Sequence, residues 1–158
     1  MNKDKILNLF EPDLIFIEDF NESNEAFEKI ADKLFKKGLV KEDYIEALKK
    51  REEEFPTGID LSVIDNKMPN VAIPHTESGY CNVTKVVVVK LNNELSFKNM
   101  MDPSKELKVK YLFMILNEAG GEQANILASL MQFVTNKENI DKLEKANTTD
   151  EIYKIVNQ

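Results

Sequence analysis

Cysteine and histidine each occur once in this 158-residue chain, as Cys81 and His75. A lone thiol cannot build an internal disulfide framework, which points to a reducing compartment and a cytoplasmic protein. A lone imidazole excludes a multi-histidine metal centre, so a zinc site would have to lean on carboxylates. Any Ser-His-Asp or Cys-His mechanism would have to be built around the same ring. Long apolar runs are missing too: the stretches around Val86–Val89 and Tyr111–Leu116 fall far short of the ~20 residues a spanning helix needs. The opening Met1-Asn2-Lys3-Asp4-Lys5 runs into Glu11, Pro12 and Asp13, without the apolar core and small-residue cleavage site of a secretory signal. No segregated basic face can be found. Acids outnumber bases 28 to 21, the formal charge is −7, and Lys49-Lys50-Arg51 is followed at once by Glu52-Glu53-Glu54, a pattern that disfavours nucleic acid as a partner.

What is present is a chain with 42% hydrophobic and 31% charged residues and no repeat, Pro-rich linker or low-complexity tract. That fits one domain spanning 1–158. Leu14–Ile17 reads as a short strand. Asn21 to Ser23 offer capping side chains to a helix whose Phe27, Ile30, Ala31 and Leu34 form one apolar face, closed by Gly38. A second helix is expected over Lys41–Glu53, with Tyr44, Ala47 and Leu48 on its inner stripe. Phe55-Pro56-Thr57-Gly58 ends it, and an irregular connector covers Asp60 to Asn70. Val71-Ala72-Ile73 is a strand stopped by Pro74 at His75. Thr84–Leu91 and Val109–Leu116 read as strands buried on both faces, with a hairpin or loop over Asn92–Ser104. Gly120-Gly121 opens a third helix with Leu127, Leu130, Met131 and Val134 on its buried stripe, and Gln123 extends that stripe toward the N-terminus. A short helix over Asn139–Ala146 precedes a capping box, Thr148 with Glu151, ahead of Ile152, Ile155 and Val156. Strands interleaved with helices indicate an α/β layered domain.

His75 is the first candidate for chemistry. A lone histidine is usually a surface or packing residue, but this one follows an apolar strand, its direction is fixed by Pro74, and the hydroxyl of Thr76 follows. Strand ends in layered α/β domains open onto a crevice. Imidazole there can be an acid-base catalyst, a metal ligand or a nucleophile. Arg51 occupies the next position of the second helix's inner stripe, where an apolar residue is expected. It is either a solvated arginine at a fraying end or a phosphate clamp, whose planar fork matches phosphate oxygens. Gln123 lies near Gly120-Gly121, where free backbone N–H groups at a helix start suit an anion. Cys81 reads as a bystander thiol, Thr57 and Thr76 as loop-stabilising hydroxyls, and Glu52-Glu53-Glu54 as a solvated helix edge.

These pieces resemble the IIA components of the bacterial sugar phosphotransferase system, fructose/mannitol type. The resemblance runs over nearly the whole chain, from the first strand and helix through Arg51-Glu52, Phe55-Pro56-Thr57-Gly58 and Val71-Ala72-Ile73-Pro74-His75 to the helix starting near Glu122-Gln123. The strand-Pro-His element carries most of it. Phe-Pro-Thr-Gly followed by Asn70-Val71-Ala72-Ile73-Pro74-His75 looks most like the galactitol-specific branch. The resemblance implies a mixed β-sheet flanked by helices and a phosphorylatable histidine, His75. That histidine would accept phosphate on Nε2 while a backbone carbonyl orients Nδ1. It further implies phosphorylated HPr as donor, the cysteine of a cognate IIB protein as acceptor, a membrane IIC protein that moves the sugar, and a supporting arginine at Arg51. No cofactor and no metal is implied. Two residues depart from the family pattern. Gln123 stands where mannitol-type members carry a second histidine, and Thr76 stands where glycine often follows the active histidine. A regulatory phosphoprotein, a binding domain with an inert His75, and a hydrolase using His75 as general base are the competing readings. The carrier reading also requires His75 to be reachable by a protein surface, with an apolar face rimmed by polar groups rather than a deep pocket.

Overall fold

The computed structural model describes residues 9–118 and 123–158. A 3-10 turn at Pro12–Leu14 leads into β1 (Ile15–Glu18), followed by α1 (Ser23–Lys36) and α2 (Tyr44–Glu54). Two short strands come next, β2 (Gly58–Ile59) and β3 (Asn70–Ala72), then a long hairpin of β4 (Lys85–Lys98) and β5 (Glu106–Leu116). Three helices close the described chain: α3 (Gln123–Val134), α4 (Lys137–Lys145) and α5 (Thr149–Val156). The strands form one sheet in the order β1-β4-β5-β3-β2. β1/β4 and β3/β5 are parallel, while β4/β5 and β2/β3 are antiparallel. The expected mixed α/β architecture is therefore observed.

The valine run shows why the sheet is buried on both sides. Successive strand residues point to opposite faces. Val87 and Val89 join Leu112 and Met114 under α1 and α2, whereas Val86 and Val88 join Phe113 and Ile115 under α3, α4 and α5. Each such side chain, fully buried, stabilises the fold by about 1.5–3 kcal/mol. α1 buries the face read from its spacing, Phe27, Ile30, Ala31 and Leu34. It stops at Gly38, whose φ of 77° is open to glycine and lets Leu39 N–H return to the Leu34 carbonyl at 3.0 Å.

Several boundaries differ from the sequence expectation. The cap of α1 is Glu22, whose side chain makes no capping bond. β4 runs on to Lys98 instead of stopping at Leu91, because Leu95 and Phe97 resume the inward alternation after an irregularity in pairing. Phe97 then packs edge-on against Phe27 at 5.8 Å. The turn shrinks to residues 99–105, held by Asp102, which accepts from Ser104 Oγ at 2.6 Å. On α3 the fully buried positions are Ile126, Ser129, Leu130 and Val134, with Leu127 and Met131 only partly covered. α4 starts earlier than expected because Asn136 caps it, accepting from Glu138 N–H at 3.0 Å. The Thr148–Glu151 capping box forms, with Glu151 N–H donating to Thr148 Oγ1 at 3.1 Å. The Gly120-Gly121 start proposed for α3 lies outside the described residues. Among the described residues no helix is long and apolar enough to cross a membrane.

Candidate functional site

β3 ends at Ala72, but Ile73-Pro74-His75 continues along β5. Ile115 N–H donates to the Pro74 carbonyl at 3.0 Å, and His75 pairs in parallel with Ile115. The ring is therefore delivered at the end of two adjacent parallel strands. Its Nδ1 lies 2.8 Å from the Ile73 carbonyl oxygen. A carbonyl oxygen accepts and cannot donate, so Nδ1 carries the proton and Nε2 keeps its lone pair. Burial lowers the pKa of His75; the bond to Ile73 works the other way, and the positive charge of Arg51 adds to the lowering. The ring is neutral near pH 7 as a result. It retains 8% of its surface, a narrow opening rather than a free surface.

Arg51 arrives from the last turn of α2. Its guanidinium stands 4.3 Å from the Phe55 ring centroid, a cation–π contact, and its NH1 donates to Glu77 Oε1 at 3.0 Å. Thus a flat aromatic face and a carboxylate fix a side chain that remains 27% exposed. Arg51, Lys50, Glu54, Thr76, Glu77 and Tyr80 line a shallow depression of about 140 Å³. Its walls are more charged than the apolar face expected from the sequence. Arg51 shares this depression with Thr76, the residue after His75, and its positive charge acts on the His75 ring.

The supporting residues divide. Thr57 is buried, and both its N–H and its Oγ1 donate to the carboxylate of Glu52, each at 2.7 Å. Thr76 is buried as well, its hydroxyl donating to the Glu77 carbonyl at 2.9 Å. Both threonines stabilise the segments that flank the site. Gln123 begins α3 and is partly buried; among the described residues no hydrogen bond joins it to His75 or Arg51. Cys81 is 4% exposed and pairs with Val40, and burial pushes its thiol up, which suits a packing role.

Sequence reading missed three residues of this region. Glu52 is not part of a solvated edge: Glu53 and Glu54 are exposed, but Glu52 is turned inward. Burial raises its pKa to about 7 against the opposing effect of the two Thr57 bonds. The signal was available, since Glu52 stands four residues after Leu48 and eight after Tyr44 on the buried stripe. Phe55 and Glu77, which hold Arg51, left no trace in any periodicity.

Comparison with known proteins identifies the family. Residues 8–158 match the family described as phosphoenolpyruvate-dependent sugar phosphotransferase system, EIIA 2. The mannitol-specific phosphotransferase enzyme IIA component of Staphylococcus aureus strain Mu50 is 30% identical over 150 residues, covering 93% of this chain and 94% of the relative. The galactitol-specific EIIA component of Escherichia coli strain K12 is 27% identical over 111 residues, 70% of each chain. Mannitol IIA of Escherichia coli, solved in complex with phosphorylated mannitol IIB, superposes with a TM-score of 0.73 at 20% identity, covering 93% of this chain and 96% of that one. At that identity the superposition speaks for the fold, and the family match for the rest. Components of this kind pass phosphoryl groups through a histidine, and this chain is such a phosphotransferase component. It belongs to the EIIA 2 family of the phosphoenolpyruvate-dependent sugar phosphotransferase system.

Proposed function

We propose that His75 is the residue that carries the phosphoryl group. In this reading the chain, 1–158, acts as one cytoplasmic IIA domain. It takes phosphate from phospho-HPr and gives it to the cysteine of a cognate IIB protein, for uptake through a membrane IIC protein of galactitol or a related polyol. The observation that carries the reading is the Nδ1–H bond to the Ile73 carbonyl at 2.8 Å. It leaves Nε2 as an unprotonated nucleophile on a ring that burial keeps neutral. The lone pair on Nε2 attacks phosphorus in line, a P–N bond forms, and the bond to the donor breaks with its electron pair leaving on the donor. The second transfer reverses this: a thiolate attacks phosphorus and the ring returns to neutral.

Phosphoryl transfer asks the protein chiefly to position groups and stabilise charge on the equatorial oxygens. Arg51 supplies a guanidinium beside the ring, at present engaged by the Glu77 carboxylate, an anion of the kind a phosphoryl group would replace. Gln123, where mannitol-type members of the family carry a second histidine, can donate an amide N–H to a phosphoryl oxygen but cannot exchange a proton with it. A IIB partner is supported by the complex formed by the mannitol relative. The galactitol assignment is supported by the 27% identical relative and by the Phe55-Pro56-Thr57-Gly58 and Asn70–His75 motifs.

The test is incubation with phosphoenolpyruvate, enzyme I and HPr. One phosphoryl group should be added, stable to alkali and labile to acid, and absent from His75→Ala. Labelling of that variant at the parent's level overturns the assignment.

A further inference from the structure

Glu52 and His75 are the ends of one run of hydrogen bonds. The Glu52 carboxylate accepts from Thr57 N–H and from Thr57 Oγ1, both at 2.7 Å. The carbonyl of the same Thr57 accepts from Ile73 N–H at 3.3 Å. The carbonyl of Ile73 in turn accepts from His75 Nδ1–H at 2.8 Å. Each link crosses one residue, from the N–H of the peptide unit before its Cα to the carbonyl of the unit after it, so the run depends on the backbone conformations of Thr57 and Ile73. The neighbouring pairs hold the run in place: Gly58 pairs with Ala72 and Ile59 with Val71. Gly58 itself passes so close to the hairpin that a Cβ there would meet the Lys98 carbonyl oxygen at 2.6 Å.

We infer that Glu52 is a positioning residue for phosphoryl transfer, acting through Thr57 and the Ile73 carbonyl to hold His75 in the tautomer that frees Nε2. The inference rests on the reading of His75 as the phosphate carrier. A carboxylate is suited to this task because it accepts two bonds side by side from one residue, so it holds the Pro56–Thr57 peptide and the Thr57 side chain together and restrains the backbone of Thr57 from which the carbonyl departs. Orientation of a ligating or reacting imidazole by its other nitrogen is a general device, and here the orienting carbonyl is itself held by a third residue. Substitution of Glu52 leaves the nucleophile and Arg51 in place, so its effect falls on the ring's tautomer and on the catalytic rate. Affinity for the donor protein is not touched.

The full chain tests this directly, because His75 is its one imidazole and gives unambiguous ring signals in nitrogen-15 NMR. The parent should show the Nδ1–H tautomer. Glu52→Ala should move the ring toward a mixture of tautomers and slow phosphorylation by phospho-HPr about tenfold in kcat, with KM for phospho-HPr unchanged. Glu52→Gln should restore both, since its amide oxygen accepts from Thr57 N–H and its amide N–H donates to Thr57 Oγ1. Thr57→Val, which keeps the N–H bond and removes the other, should show a smaller loss of the same kind. A folded Glu52→Ala protein with the parent's tautomer and rate overturns the inference, as does a Gln variant as slow as the Ala variant. Should thermal melts show that Glu52→Ala does not fold, Thr57→Val decides: the parent's tautomer and rate in that variant overturn it. The tautomer is read on unphosphorylated protein, so failure of His75 to be phosphorylated at all would remove the carrier reading without disguising the state of this linkage.

Discussion

Two charged side chains turn inward on opposite faces of the sheet, and the protein satisfies them with opposite ends of the peptide group. Glu52, on the α2 side, is met by the N–H and hydroxyl of Thr57. Lys90, on β4 beneath α4, is 8% exposed and donates to the carbonyls of Leu143 at 2.8 Å, Glu144 at 3.3 Å and Ala146 at 2.8 Å. The ammonium thus closes the C-terminal end of α4, where unpaired carbonyls and the helix dipole favour a cation. Burial acts on both groups against the charged form, raising Glu52 and lowering Lys90. The difference lies in what each holds. Glu52 fixes a loop that leads, bond by bond, to His75. Lys90 fixes α4, a helix that supplies no candidate residue of the site. On the proposed reading one of these charges serves chemistry and the other serves packing.

The largest expected effect separates the two faces by stability. Lys90→Met removes the ammonium donor from three carbonyls at the end of α4 and should cost about 2–4 kcal/mol in denaturant unfolding, while the folded variant is phosphorylated at the parent's rate. A variant as stable as the parent would show that the Lys90 contacts are incidental. Arg51→Ala should do the reverse. Its partner Glu77 is mostly exposed, so stability should change by less than about 0.5 kcal/mol, whereas transfer to a IIB protein should slow about 10- to 100-fold through loss of charge-assisted bonds to phosphate. Equal transfer rates would remove Arg51 from the site.

The smallest effect is a pH dependence, and its sign follows from the direction of the shift. The folded-state pKa of Glu52 is raised to about 7. Between the ordinary carboxylate value and about 7 the folded protein holds a proton that the unfolded chain has released. The contribution of Glu52 to stability is thus fully present at the acid end of that window and is lost as pH rises through it. Glu46, Lys49, Lys50 and Glu53 of α2, with Lys98 and Glu106 of the hairpin, line the same cleft and are common to parent and variant. The Tm of Glu52→Gln should therefore gain on the parent's as pH rises from about 5 to about 8. His75, whose pKa is lowered, contributes the opposite slope below the ordinary histidine value in both proteins, and cancels from the comparison. A parent–variant difference flat in pH would place Glu52 in the ionised state throughout.

Much of the frame could be read in the residues themselves. The valine run, the apolar spacing of α1 and the Thr148–Glu151 box depend on period and local chemistry, which travel with the chain. Leu95 and Phe97 did not stand out because an irregular stretch of pairing separates them from the valines, and only their contact with the α1 side of the core makes the strand continue. The shift of the α3 stripe to Ile126 and Ser129 has the same origin: a helix rotates about its axis to suit the face it covers, and a spacing shared by several apolar residues does not fix that angle. In the site, His75 was legible because no other imidazole competes with it, and Arg51 because it interrupts an apolar stripe. Glu52 sits on that stripe too, yet a run of three glutamates reads as solvated until Thr57 is seen to supply its donors.

Composition and local pattern by themselves determined that this chain makes a layered α/β fold without a disulfide framework or a multi-histidine metal centre, and singled out one ring at a strand's end as the candidate for its chemistry. The tertiary structure alone decided which nitrogen of that ring holds the proton, that a guanidinium from another element bears on it, and that one glutamate of three is drawn inward. Those are matters of field and geometry. A pKa, a tautomer or a hydrogen bond depends on which distant peptide groups come within about 3 Å, and that distance is set by packing rather than by neighbours in sequence.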